Sequence, residues 1–439
     1  MKTFFPQPML RALILLTGVL FAGSGAAGAR TLTLDQAVTE ALARNPRMIE
    51  TAARRRAAEY GEKSARADFF PQVTTAYGYL RLEDAPYRNL LGNAMTMGSQ
   101  RQHHWEVEMV QPLFAGFALT SNHRLAQLET ETRELAQRQV ALELCRQVKH
   151  GYFGLLLTQA ELATAETAEA HLHAHVSDAR GLFDQGLIAR NDLLKTRVAL
   201  AEAIQNRVRA AGRVKSARSA LNVLLGQAYD ADTEVAAAGL EKTLPLPPLA
   251  GLVAEALANR PEIASVRRAM TASAVEEQRV RSNDYPRVSL VGRYEQDGKE
   301  PGGRDNPYTN DHNASIGVQA RWVLFEAGKT RAGVARVRNE GQAVQAALEG
   351  LQDQVSLEVQ QAVLDLTVAG ENIVTSERAL DQAREHWRIA NVRYRQQLTT
   401  ATEVLDAQAY LTRAESAYHG SRFGYAMAMA DLDRAVGRR

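Results

Sequence analysis

The sequence predicts a mainly α protein with a membrane β-barrel, and three observations carry that expectation. The chain is written twice. Each copy holds a very long proline-free stretch of helical composition. Each also holds a pair of short segments that alternate apolar and polar residues. The doubling is explicit. Ala37–Pro46 recurs as Leu252–Pro261, Phe70-Pro71 as Tyr285-Pro286, Leu113-Phe114 as Leu324-Phe325, and Leu225-Gly226 as Val436-Gly437. A repeat this long is a duplicated half-domain, since solenoid modules have periods of about 20–50 residues.

The first element is an export signal over residues 1–29. Lys2 and Arg11 supply positive charge, Leu13–Ala22 is the apolar run, and Ala27-Gly28-Ala29 is a small-residue cleavage site. The run is short of the ~20 residues a membrane span needs. No cysteine follows the cleavage site, so a lipoprotein anchor is not expected. Cys145 is the single cysteine, which excludes an internal disulfide and suits core packing. With 52 Lys+Arg against 50 Asp+Glu and no block of like charge, nucleic acid is not an expected partner.

After the signal come a first repeat over 30–226, a linker over 227–249 and a second repeat over 250–439. Within the first, Thr33 or Asp35 can cap a helix running toward Asp68, interrupted at Asn45-Pro46. Its partner runs from Leu249 to Asp284. Strands follow. Trp105, Val107 and Met109 share one face, with His104, Glu106 and Glu108 on the other. From Ser315 to Leu324, Ile316, Val318, Ala320, Trp322 and Leu324 oppose Ser315, Gln319 and Arg321. Tyr77 and Tyr79 alternate with Ala76 and Gly78, and Val288 and Leu290 flank Ser289. These are four amphipathic strands.

A soluble antiparallel sheet also alternates, with its apolar face on a core. Here Phe69, Phe70, Phe114, Tyr285 and Phe325 cluster at one end of strands of about 10 residues, which fits an outer-membrane barrel with an aromatic girdle. Trp105, Val107, Met109, Ile316, Val318 and Trp322 would then face lipid. Glu106, Glu108, Gln319 and Arg321 would face a water-filled lumen. Segments 81–101 and 297–311, rich in Gly, Asn, Asp and Pro, become the loops at the opposite end.

The long helices run from Phe117 to about Phe183 and from Ala327 to Tyr394. About 66 residues make about 100 Å of helix. Short breaks at 184–190 and 395–400 precede return helices over Asn191–Leu225 and Thr402–Val436. Each return helix covers about half the outgoing length, so two short helices stacked end to end would match one long one. Four strands cannot close a barrel, which needs at least about eight. Open edges in lipid leave backbone groups unsatisfied, so identical chains must associate.

Leu34-Asp35-Gln36-Ala37 through Asn45-Pro46, Phe183-Asp184-Gln185-Gly186-Leu187-Ile188, Glu403-Val404-Leu405-Asp406-Ala407-Gln408 and the closing Ala430–Gly437 occur in an order that resembles the TolC-like outer-membrane efflux family. The resemblance covers essentially the whole mature chain. It implies a homotrimer with four strands per chain in a twelve-stranded β-barrel, continued by a long periplasmic α-helical tunnel. It implies a Gram-negative outer-membrane exit duct. The duct would dock with a periplasmic adaptor (membrane fusion) protein and an inner-membrane RND or ABC transporter, and export small toxic compounds or drugs. Type I protein secretion is the alternative. A periplasmic coiled-coil scaffold is the alternative outside transport. No enzyme activity, cofactor or metal is implied.

By the same resemblance, Glu403 and Asp406 match the acidic ring of the periplasmic aperture, and Gly186, Asp192 and Tyr394 fall at tip contacts. Competing roles exist. Thr400-Ala401-Thr402-Glu403 is also a capping-box pattern, and Asp192 also suits a helix N-terminus. Gln397 stands where glycine is common in the family, and Thr399 where Arg can occur. His171, His173 and His175 are expected on a solvated helix face, since only two of them share a side and two ligands are too few for a closed zinc site.

Overall fold

The computed structural model describes residues 31–90, 92–237 and 246–439. The expected signal segment and part of the linker lie outside the described residues. A two-residue strand β1 (Thr31–Leu32) leads into α1 (Leu34–Arg44) and α2 (Pro46–Ala67). Thr33 and Gln36 form a reciprocal capping box at the start of α1. Asn45 stops α1 and starts α2. Its side chain accepts the Arg47 amide proton at 2.9 Å and donates to the Leu224 carbonyl at 2.8 Å.

Strand β2 (Gln72–Arg81) and a short hairpin, β3 (Tyr87–Leu90) with β4 (Asn93–Thr96), precede β5 (Arg101–Phe114). The β3–β4 hairpin corrects the expectation of a plain loop over 81–101. Its strands are too short and too polar to give a period-two signal. Helix α3 (Ala118–Asp184) has 67 residues and α4 (Arg190–Leu225) has 36. In the linker, β6 (Glu234–Val235) pairs in parallel with β1. Tyr152 clamps this pair, its hydroxyl donating to the carbonyls of Leu32 at 3.0 Å and Ala236 at 2.7 Å.

The second repeat follows the same course. α5 (Leu249–Asn259), α6 (Pro261–Arg281) and a 3-10 turn (Ser282–Asp284) lead to β7 (Arg287–Gly298) and β8 (His312–Arg321). Then come α7 (Lys329–Arg395), again 67 residues, and α8 (Ala401–Val436), again 36. Trp322 and Leu324 were expected within the last strand and lie beyond its end, because their alternation continues past the ladder. The Trp322 indole instead donates to the Asp284 carbonyl at 3.1 Å.

Strands β2-β5-β7-β8 form one antiparallel sheet in that order, so the two hairpins join through β5 and β7. β2 and β8 are its edges. Each long helix packs on both of its repeat's upstream short helices and on the return helix, as the end-to-end reading requires. The cores repeat too. Leu144, Val148, Tyr152 and Leu225 bury Ala37 and Ala41; Val355, Val359, Leu366 and Val436 bury Leu252 and Ala256. At the sheet-to-helix passage the chain takes two consecutive left-handed residues in each half, Gly116-Phe117 and Ala327-Gly328. A Cβ on Gly116 would lie 2.5 Å from the Ser282 carbonyl oxygen, so this corner requires glycine.

Candidate functional site

Two regions hold the residues singled out from the sequence: the sheet and the helical tip. Residues paired across a ladder point to the same side of a sheet. Val107 sits between Thr75 and Tyr294, and Met109 between Val73 and Gly292. Ile316 lies opposite Gly292, and Val318 opposite Leu290. One register therefore places Trp105, Val107, Met109, Ile316 and Val318 on one side. Tyr294 joins them and was missed, because Gly292 interrupts the apolar series of β7.

The opposite side carries Glu106 beside Glu295, Glu108 beside Arg293, and Gln319 beside Ser289. Arg293 gathers the acids: its guanidinium meets Glu106 at 2.9 Å and Glu295 at 3.5 Å, and it also pairs with Glu108. His104 bridges Asp297 at 2.7 Å and Glu106 at 3.5 Å. Arg321 lies opposite Arg287 at the far end of this side. At that end Phe114, Phe117 and Tyr285 pack edge to face, with ring centroids 5.7–6.4 Å apart.

The tip consists of two turns of identical hydrogen bonding. Gly186 donates to Phe183 and Leu187 to Leu182; Gln397 donates to Tyr394 and Leu398 to Arg393. Both turns need a left-handed residue, and Gln397 adopts it at φ 61° where the first turn has Gly186 at φ 74°. The missing glycine therefore leaves the turn geometry intact, with strain in its place.

Thr400 caps α8 by accepting the Glu403 amide proton at 3.4 Å. The Glu403 carboxylate faces His386 of α7 at 3.4 Å, so the cap is one-sided. Asp406 is exposed and lines an open groove of about 860 Å³ between α3, α4 and α8, with Leu194, Lys195, Val198 and Arg413. Asp192 occupies in α4 the place of Glu403 in α8, and its carboxylate lies 3.9 Å from Lys195. Tyr394 is 2% exposed, its ring tilted against that of His175 with centroids 4.7 Å apart, and its hydroxyl has no hydrogen-bond partner among the described residues. Burial pushes that phenol up, and Asp192 and Asp178 add to the shift.

The histidines correct a sequence expectation. His171 stacks on Trp387 at 4.2 Å and binds the Gln408 side chain at 3.0 Å, while His175 is buried. Only His173 is solvated. The pattern failed because the covering surface comes from α7 and α8, far away in sequence. Among the described residues no cluster of three or more side chains could hold a metal ion.

A profile of the outer membrane efflux protein family matches residues 37–227 and 252–438, one repeat after the other. The chain belongs to that family. It is an outer-membrane channel protein reaching into the periplasm, and not an enzyme. The outer membrane efflux protein BepC of Brucella suis is 23% identical over 441 residues, covering 98% of this chain and 90% of BepC. The alkaline protease secretion protein AprF of Pseudomonas aeruginosa is 26% identical over 229 residues. That match spans 52% of this chain and about half of AprF, 47%. The solved outer-membrane channel OprN superposes with a TM-score of 0.78 at 21% identity, covering 92% of this chain and 90% of OprN. That likeness shows the fold of helical tunnel and barrel.

Proposed function

We propose that three copies close their four-stranded sheets into a twelve-stranded barrel and exports small toxic compounds or drugs through it. The observation that carries this is the sheet itself. Its two sides differ in chemistry along all four strands, and its edges β2 and β8 have no partner strand among the described residues. The side with Trp105, Val107, Met109, Ile316 and Val318 faces lipid, with Trp322 at the interface. The side with Glu106, Glu108, Gln319 and Arg321 faces the lumen. A closed ring removes the edges.

At the other end, Glu403 and Asp406 line the aperture, with Gly186, Asp192 and Tyr394 at the tip contacts. Tyr394 is buried within its own chain, so contact with a neighbouring copy needs its ring to move. The tip docks with a periplasmic adaptor and an inner-membrane transporter of RND or ABC type. Family members work with such partners. Full-length similarity to BepC supports efflux, while the shorter match to AprF supports protein secretion as a second reading.

Light scattering of the protein in mild detergent should give the mass of three chains. A folded monomer would overturn ring closure. Deleting the gene should then sensitise cells to dyes and detergents. Unchanged tolerance with loss of a secreted protein would select the second reading.

A further inference from the structure

Near the tip, a cavity of about 190 Å³ lies between α3, α7 and α8. His175 of α3 lines it and is 4% exposed, yet neither ring nitrogen has a hydrogen-bond partner among the described residues. The Tyr394 hydroxyl beside it is equally unpartnered. Buried polar groups are normally satisfied, so a pair left unsatisfied calls for a reason.

We propose that His175 is a proton-operated release for the tip, in which proton uptake on its imidazole loosens α3 from α7 and favours the open aperture. This rests on the reading of the chain as a duct with a closable tip.

On α3, Asp178 is the nearest carboxylate, but Arg395 of α7 holds it at 3.1 Å and brings its own positive charge to the cavity. His171, also on α3, is occupied by Gln408 and Trp387. On α7 the remaining neighbours are Asn391 and Tyr394, and on α8 Val404 and Gln408, all neutral. Asp192 of α4 acts on the Tyr394 phenol. Among the described residues no carboxylate is free to receive an imidazolium in the closed packing. A charge there is left desolvated and unpaired, which is strongly unfavourable.

Burial accordingly holds the His175 pKa below its ordinary value, with Asp178 opposing the shift. A loosened tip that admits water restores a pKa of about 6.5. The sign follows by linkage. The loosened state binds the proton more tightly, so the closed state loses stability as pH falls below about 6.5 toward the depressed closed-state value. In a ring of identical chains the release operates at every copy.

The test is conductance of the full-length protein in planar bilayers, titrated on the periplasmic side from about pH 7.5 to about pH 5.5. Wild type should gain about threefold or more in mean conductance on acidification. His175→Phe keeps a ring in the cavity, and His175→Gln is uncharged; both should stay at the neutral-pH conductance throughout. Tyr394→Phe keeps the imidazole and should keep the response. Trimer mobility and circular dichroism at neutral pH verify that each variant folds. A conducting protein with no acid response, or a response surviving in both His175 variants, overturns this proposal alone. Absence of conductance at every pH overturns the duct reading and this proposal with it.

Discussion

Replacing Val107 with arginine should block assembly in the membrane, whereas the same replacement at its neighbour Glu106 should not. Val107 is the seventh of the 14 residues of β5. At about 3.4 Å per residue and a tilt of about 40°, such a strand rises about 35 Å along the membrane normal, so its centre falls near the middle of an apolar band about 25 Å tall. Arginine there costs about 2–4 kcal/mol per chain, or about 6–12 kcal/mol for a ring of three. Each 1.4 kcal/mol is about a tenfold change in equilibrium, so the folded fraction should collapse. Glu106 points the other way and contacts Arg293, which retains Glu108 and Glu295 when Glu106 is replaced. The assay is refolding into lipid vesicles across a urea series, with gel mobility of the unheated trimer as readout. Val107→Arg should move the midpoint far below wild type, and Glu106→Arg should stay near it. Equal defects would refute the assignment of the two faces.

Gln397→Gly should stabilise the second tip turn by about 1 kcal/mol by relieving a left-handed non-glycine residue, seen as local protection of its amides in hydrogen exchange. Arg260 is 3% exposed and pairs with Glu262 at 3.1 Å and Glu358 at 2.6 Å. Arg260→Asn should cost about 3 kcal/mol, the low end for severing a buried pair, because Glu358 keeps Arg434 at 2.8 Å. Burial works to raise the Glu358 pKa, but the Arg260 hydrogen bond and charge outweigh it, so the group sits below its ordinary 4.5. Its contribution is present above that value and lost as pH falls through the folded pKa; urea midpoints of Arg260→Asn should therefore fall less steeply in acid than those of wild type. Glu403→Gln with Asp406→Asn should abolish block by periplasmic-side multivalent cations in bilayer recordings while trimer yield holds. Undiminished block would place both carboxylates away from the aperture.

The elements were legible because each rests on local chemistry. Asn45-Pro46 marks the α1–α2 junction, and the alternation around Trp105–Met109 marks β5. What sequence missed depends on surfaces brought from elsewhere. The β1–β6 pair is held by Tyr152, on α3, which binds the carbonyl of Leu32 in β1 and that of Ala236 just past β6. Arg293 holds three carboxylates from two strands, which no local window displays. His175 matched a solvated stripe until α7 supplied Tyr394. Gln397 shows the reverse: a sequence departure that the backbone absorbs, since the turn's hydrogen bonds demand the conformation whatever the side chain.

Duplication also predicts which surfaces meet between copies. Within one chain, α3 packs on α6 and α8 of the other repeat. The correspondence that sets Ala118 on Lys329 and Arg190 on Ala401 makes α7 the counterpart of α3, α2 of α6 and α4 of α8. If the two halves alternate around a closed ring, α7 of one copy must pack on α2 and α4 of the next. The exposed side chains agree. α2 has no buried residue, α7 exposes Leu357, Leu364 and Val368, and α4 exposes Val198 and Val208. The contact of Arg146 with Asp431, 3.1 Å, maps to Leu357 of one copy facing Ala220 of the next. In a Cys145→Ala background, Leu357→Cys with Ala220→Cys in the same chain should cross-link with a short bismaleimide. The product should be a ladder ending at three chains, and each single variant should give none. Cross-linking confined to one chain, or none from folded trimer, would show that the contacts between copies do not repeat those within the chain.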